Sequence, residues 1–562
     1  MILKKVTTGI VPLVTFLLTL ERNDVFYRIR AGDGLCGLQH GFDLISERPE
    51  YLRMRLAAFT PFVYTKRTRR QVMISQMLLD ARRYEEDAGN RIAEMERPAF
   101  HLTPRAGWMN DPNGFCLYKG QYHLFYQYYP YASRWDSMHW GHAVSSDLLH
   151  WDYLPAALAP DTEHDNAGCF SGGAADLPDG RQLLMYTGVI STDDVRKNLQ
   201  VQCLAVEENG EYRKYEQNPV LDQSDLPEGS DPCDFRDPKL GRKPDGTYSC
   251  MTVGRNANGL GQLLYYKSPD GFHWSFDRVI VENDGTYGKM WECPDYFELD
   301  GNYVFLVSPM DMLKTETFYS GNATIGMVGS RKEDGTFVPE KVLPVDYGLD
   351  FYATQTLLTD DGRRIMVAWM QNWDSIMDTG EDMPWTGSVT VPRELHVKDG
   401  HLYQTPIREL ESLRGERVFI EKAEIHDPVS FEGVQGRVYD LTLQIHPYDG
   451  HFSKFDIRIA EQDGIYTSIV YRPKENRLAF DRSSSGTRRS VAHIRKMHNI
   501  HETEDGLKLR ILLDRYSCEV FINDGEQVMT HRIQTDPSIG GISFRCDGTA
   551  VVDIEGYSLE NA

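Results

Sequence analysis

Recurring Asp-Gly pairs, among them the five Asp179-Gly180, Asp245-Gly246, Asp270-Gly271, Asp334-Gly335 and Asp361-Gly362, restrict what this chain can fold into more than any other feature. Asp bonds its own backbone and Gly accepts positive φ without steric cost, so the dipeptide closes tight hairpins. Apolar-alternating runs flank these turns, among them residues 122–128, 183–188, 263–267 and 303–307, and they read as strands. From about residue 100 to about 400 turns recur every ten residues or so, with few helical windows. So many evenly spaced hairpins require a sandwich, a barrel or a propeller, and alternation alone does not choose among them.

Within this region, Trp108-Met109-Asn110-Asp111-Pro112-Asn113-Gly114 reads as a site rather than a surface loop. A turn needs one or two turn formers. Crowding several after a Trp, just before the alternating residues 115–118, predicts a bend at a strand start that aims Asp111 into a pocket. Two further stretches place an acid among rigid or aromatic neighbours: Asp234-Phe235-Arg236-Asp237-Pro238 and Met290-Trp291-Glu292-Cys293-Pro294-Asp295. Asp111, Asp237 and Glu292 are each followed by Pro at the next position or one beyond, and together they form a candidate constellation.

These three stretches, in this order and spacing, resemble the signatures of glycoside hydrolase family 32, the invertases and fructan hydrolases. The resemblance extends to Gln127, Met138-His139-Trp140-Gly141-His142-Ala143, Phe170-Ser171-Gly172, Leu513-Asp514-Arg515 and the residues 519–525, so it spans about residues 100 to 560. It implies an all-β chain, a five-bladed β-propeller followed by a C-terminal β-sandwich, with the site at the axial end of the propeller. It further implies a retaining mechanism, with Asp111 as nucleophile, Glu292 as general acid/base and Asp237 holding sugar hydroxyls. Trp108, Trp135, Phe170 and Trp373 are expected as pocket walls, Asn110 and Gln127 as amide partners of a polyol, Ser171 as a partner of a fructosyl hydroxyl, and Arg236 in the pocket. The family often has Asn-Pro ahead of a Trp-Gly pair where this chain reads Tyr129-Pro130-Tyr131-Ala132-Ser133-Arg134-Trp135-Asp136.

Local chemistry adds expectations of its own. Asn110 beside Asp111 favours an ionised nucleophile, Arg236 beside Asp237 favours a permanently charged Asp237, and Trp291 and Cys293 around Glu292 predict a raised pKa for the acid. His139 and His142 enclose Trp140 and Gly141 without a third ligand nearby, which reads as blade structure, and no metal or other cofactor is expected. Ser171 lies outside any nucleophile-elbow pattern.

At 562 residues the chain is long enough for two domains. A net charge of −23 disfavours nucleic acid and anionic membranes as partners, and the resemblance implies a small-molecule sugar as the partner. Nine scattered cysteines fit a reducing compartment, here the cytoplasm, better than a disulfide framework. Oligomeric state stays open, a homo-oligomer included. The expected division is an N-terminal extension over 1–72 without a fold of its own, a helical lead-in over 73–98, the propeller over 99–404, a linker helix over 405–416 and the sandwich over 417–562. The rival for the first segment is a secretion or anchoring sequence, since residues 10–20 are largely apolar, though no small-residue cleavage site follows. Three functional readings compete: a β-fructofuranosidase acting on sucrose, sucrose 6-phosphate or short fructooligosaccharides; an exo-inulinase, levanase or fructosyltransferase on the same scaffold; and a non-catalytic sugar-binding propeller.

Overall fold

The computed structural model describes residues 18–23, 26–31, 74–378, 383–486 and 492–560. Most of the predicted extension over 1–72 lies outside these; its described part is an antiparallel ribbon, Leu18–Asn23 with Phe26–Ala31, within a separate compact unit.

In the larger unit, Met73–Ala562, five sheets follow one another along the chain, each with four consecutive antiparallel strands save in the last blade, where a short insertion intervenes. The blades begin with strands Gly107–Tyr118, Gly168–Asp176, Asp231–Arg242, Trp291–Leu299 and Tyr352–Leu358. These first strands pack side by side in sequence, and Tyr352–Leu358 packs back against Gly107–Tyr118, closing a ring. The insertion strengthens the closure: Trp385–Thr386, from the last blade, pairs in parallel with Gly107 and Trp108. The protein is thus a five-bladed β-propeller followed by a β-sandwich. Every one of the five Asp-Gly pairs closes a hairpin within a blade, with φ between +82° and +87° at its glycine. That conformation is open to Gly at little cost and strained for other residues.

The predicted sandwich strands appear as Tyr439–Ile445, Leu507–Asp514 and Ser517–Ile522, all in a six-stranded sheet that packs on a five-stranded one. Alternation buries Leu441, Leu443, Leu509 and Ile511 between the sheets with Phe455 and Ile457. Ahead of the propeller, the helix Gln76–Gly89 starts at Ser75, whose hydroxyl accepts the Leu78 N–H at 3.1 Å. Its buried face is Leu78, Ala81 and Glu85, and Met77, 45% exposed, points outward.

The motif residues far downstream explain how the sandwich is held to the propeller. His101 sits between two carboxylates, Nδ1 at 2.6 Å from Asp514 and Nε2 at 3.0 Å from Glu519. Asp514 also accepts the Ala99 N–H, and Glu519 is paired at 2.6 Å with the fully buried Arg393, which reaches Asp346 at 3.0 Å. Burial opposes the imidazolium, but the hydrogen bonds and charges of Asp514 and Glu519 outweigh it and lift His101 to about 9. A group raised above its unfolded value stabilises the fold fully below the unfolded pKa, ~6.5, and stops doing so as pH rises through the folded one. Melting temperature is therefore expected to fall as pH passes about 9. His101→Ala, which leaves two buried carboxylates short of a partner, is expected to cost roughly 3–5 kcal/mol and to flatten that alkaline slope. Calorimetric melts of both proteins across the alkaline range check this.

Candidate active site

Each of the five first strands carries a register shift at the same place in its blade. The shifts fall between Met109 and Pro112, Phe170 and Gly172, Arg236 and Lys239, Glu292 and Asp295, and Tyr352 and Gln355. A bulge re-aims side chains and needs fewer ladder N–H groups, so Pro112, Pro238 and Pro294 are tolerated there. The first stretch is therefore not a turn ahead of a strand, as the turn formers suggested, but a bulged strand in its own right. Asp237, Cys293 and Ala353 adopt φ of 59°, 51° and 56° inside these bulges. Left-handed conformations of this kind cost non-glycine residues about 1–3 kcal/mol each and gather where geometry serves a site.

The bulges bring one cluster together. Asp111 Oδ2 accepts the Ser171 hydroxyl at 2.6 Å and lies 3.5 Å from the Cys293 thiol, its Oδ1 accepting from Asn110 Nδ2 at 3.1 Å. The Cys293 N–H donates to Asp237 Oδ2 at 2.8 Å. Glu292 Oε1 accepts from Arg236 Nη2 at 3.0 Å and Nε at 3.2 Å, while its Oε2 accepts the Tyr352 hydroxyl at 2.6 Å. Every blade thus contributes a member, and Asp111 and Glu292, 181 positions apart in the chain, lie near enough for the Glu292 charge to act on Asp111.

The walls are aromatic. Trp108 is fully buried, donates its indole N–H to Asn110 Oδ1 at 2.8 Å, stacks on Trp373 at 6.4 Å and meets Trp369 edge-on at 5.8 Å. Phe170, Tyr352 and Met138 pack in the same group. Trp135 stands at the rim, 42% exposed, with its ring 6.1 Å from that of Phe170. Gln127 is buried, and its amide N–H donates to the Cys169 carbonyl at 2.9 Å, fixing the strand that carries Phe170 and Ser171.

Three local expectations need correction. Arg236 does not pair with its neighbour Asp237. Alternation along a strand puts residues two apart on one face, so Arg236 pairs with Asp234 at 2.5 Å and, across to the next blade, with Glu292. Glu292 accordingly lies not in apolar surroundings but in an ion pair with Arg236. Cys293, expected to condition Glu292, reaches Asp111 instead. The electrostatics follow. Burial, then the Glu292 charge against the opposing Ser171 bond, lifts Asp111 to about 6 rather than leaving it low. Burial, relieved by Arg236 but reinforced by Glu292 and Asp111, lifts Asp237 to about 7, so it is not permanently charged. Asp111, Asp237 and Glu292 thus share a buried cluster with Arg236, which is also held by Asp234.

The residue reading missed Tyr352, Trp369 and Asp234. Tyr352 was findable: it occupies, in the fifth blade, the position that Glu292 holds in the fourth relative to its bulge. Elsewhere, His142 Nε2 bonds His123 Nδ1 at 3.0 Å and His139 Nδ1 bonds the Ser137 carbonyl, both inside the first blade. Among the described residues no group of three or more His, Cys, Asp or Glu is placed to hold a metal ion. The eight described cysteines are free thiols, and no described helix is long and apolar enough to cross a membrane.

Comparison with known proteins agrees with this architecture. The model of the glycosyl hydrolases family 32 N-terminal domain matches residues 101–406, and that of the family's C-terminal domain matches 409–558. A raffinose invertase of Escherichia coli is 38% identical over 78% of this chain and 89% of its own length. Among solved structures, a β-fructofuranosidase of Bombyx mori is 34% identical, covering 86% of this chain and 98% of that one with a TM-score of 0.73. A variant of it has been solved with sucrose. The sucrose-6-phosphate hydrolase of Lactobacillus gasseri is 28% identical with a TM-score of 0.74, over 88% of this chain and 98% of its own. The protein is a member of glycosyl hydrolases family 32.

Proposed function

We propose that this chain is a retaining β-fructofuranosidase that removes terminal β-D-fructofuranosyl residues from sucrose, sucrose 6-phosphate or short fructooligosaccharides. The observation that carries the reading is the pair Asp111 and Glu292 on one ring of bulges, each held by its own hydroxyl donor, Ser171 and Tyr352. Retaining hydrolysis needs a carboxylate to attack carbon and a second carboxyl to protonate the leaving oxygen. Asp111 attacks the anomeric carbon of fructose while Glu292 gives its proton to the glycosidic oxygen, and the rest of the substrate departs as the alcohol. Glu292 then takes a proton from water as the water's oxygen displaces Asp111, releasing fructose with its configuration kept. Asp237, near neutrality able both to accept and to donate, holds the ring hydroxyls. Trp108, Trp373 and Phe170 offer apolar faces to the sugar and exclude water, with Trp135 at the outer edge. Asn110 serves Asp111 directly, whereas Gln127 acts by holding the strand of Ser171.

The acid side of the pH profile should report Asp111, because its protonation removes the nucleophile. We expect kcat/KM on sucrose to fall below about pH 6. Ser171→Ala, which removes a bond favouring the charged form, is expected to move that limb to higher pH. A limb unmoved in this variant would separate Ser171 from the nucleophile. Initial rates on sucrose, its 6-phosphate, short fructooligosaccharides and inulin test the substrate class. Exclusive use of inulin or levan would favour the exo-hydrolase reading, and sugar binding with no release of fructose would favour the non-catalytic one.

The division into a lead-in over 73–98, a propeller over 99–404, a linker over 405–416 and a sandwich over 417–562, with 1–72 as an extension upstream, is part of the proposal. The limits of the two family models and the 3₁₀ turn Arg408–Leu413 between the domains support it. The cytoplasm is the proposed compartment, supported by the free thiols and by sucrose-6-phosphate hydrolases among the relatives. Fractionation with activity assay of each fraction checks it.

A further inference from the structure

A cavity of about 930 Å³ opens between the fourth and fifth blades and the sandwich, and none of the acid cluster lines it. Its charge is opposite to that of the whole chain. Lys314, Lys341, Arg477 and Lys496 line it against only Glu316 and Glu526, and His401, His498 and His501 add three imidazoles, in a protein of net charge −23. Arg477 is paired with Glu475 at 2.6 Å, but among the described residues none of the three lysines has an ion-pair partner. Lys341, on the strand Phe337–Pro344, is half-buried, so its charge acts where water screens less.

One side of the cavity is formed by residues 314–319, and it is built rather than loose. The Tyr319 hydroxyl donates to the Lys496 carbonyl at 2.5 Å and accepts the Lys496 N–H at 2.9 Å, and the Arg495 guanidinium lies 3.9 Å over the Tyr319 ring. The Thr315 hydroxyl accepts the Phe318 N–H at 3.0 Å, and the Phe318 ring packs 5.8 Å from Tyr287. The lysines are therefore presented from both domains across a fixed gap.

We propose that this interdomain cleft binds a phosphate dianion, carried on a small sugar. Lysines act as compact point charges for phosphate, and a concave site concentrates their field even on an acidic protein. The volume lies in the range of small-molecule sites and exceeds what an inorganic ion fills. Tyr347, Phe318 and Tyr319 give apolar faces, and Gln527 gives an amide, for the carbohydrate portion. The site is separate from the hydrolytic one and does not depend on how that one works.

The test is calorimetric titration of the full chain with glucose 6-phosphate, with inorganic phosphate and with glucose, in excess fructose to occupy the hydrolytic site. Saturable binding of the ester and none of glucose is the expected result. The variant Lys341→Ala/Lys496→Ala should weaken it by at least about tenfold, the scale of a lost charge-assisted contact. The same variant should keep the wild-type melting temperature and kcat/KM on sucrose, while Asp111→Ala should leave the affinity unchanged. Inorganic phosphate binding as tightly as the ester, with the same loss in the lysine variant, would identify free phosphate as the source of the dianion and still support the site. Wild-type affinity in the lysine variant, loss of binding in Asp111→Ala, or no saturable binding of either phosphate at millimolar concentration would overturn it.

Discussion

Asp111→Ala is expected to lower kcat on sucrose by roughly 10⁴- to 10⁶-fold, the scale of removing a nucleophile from a preassembled site. The fold should survive. Asp111 is held by Ser171, Asn110 and the Cys293 thiol, none of which depends on it for its own place in a strand. The deletion also removes one of three mutually repelling carboxyls, so the remaining cluster is less strained electrostatically and Asp237 is expected to titrate lower. Steady-state rates on sucrose, with a thermal melt as control for folding, decide the matter. Retention of a tenth or more of the activity, taken here only as a rough threshold, would contradict the assignment.

The second large effect is that of Glu292→Gln. Loss of a general acid costs roughly 10²- to 10⁴-fold, and the loss depends on how badly the leaving group needs a proton. Sucrose, whose leaving group is an alcohol, should therefore suffer most. An aryl fructoside, whose phenolate leaves without help, should lose much less in its first step and accumulate the fructosyl-enzyme. Gln keeps an acceptor for Tyr352, but the neutral amide no longer forms the ion pair with Arg236. Arg236 would retain Asp234 at 2.5 Å, so the variant is expected to stay folded. Equal losses on the two substrates would mean that Glu292 positions substrate rather than donating a proton.

Much of the architecture was legible because hairpin chemistry is local. Asp-Gly pairs and alternating runs are read within about ten residues, and all five pairs fell where the blades needed turns. The choice of a propeller over a barrel was not local, since it depends on first strands of successive blades meeting in a ring, and it came from the resemblance. In the site, Asp111, Asp237 and Glu292 were findable from their shared Pro-containing setting, which is the sequence mark of a bulge. Asn110 bonds its neighbour Asp111, but the partners of Arg236 and Cys293 were not findable from adjacency. Arg236 precedes Asp237 and Cys293 follows Glu292, yet in an extended strand neighbours face opposite ways, and the pairs form at spacing two or across blades. The expectations of a low Asp111 and a permanently charged Asp237 failed because sequence neighbours do not report burial, which is the largest influence raising both. Tyr352 escaped because Phe351-Tyr352-Ala353 holds neither an acid nor a proline, and only the repeated bulge position marks it.

The central claim is that Asp111 bonds to the fructosyl carbon during turnover. Denaturing Glu292→Gln while it turns over an aryl fructoside, followed by proteolysis and peptide mass spectrometry, tests it most directly. A hexosyl increment on the peptide that carries Asp111 is the predicted result. The same increment on a peptide carrying Asp237, or its absence from every peptide together with release of fructose of inverted configuration, would contradict it.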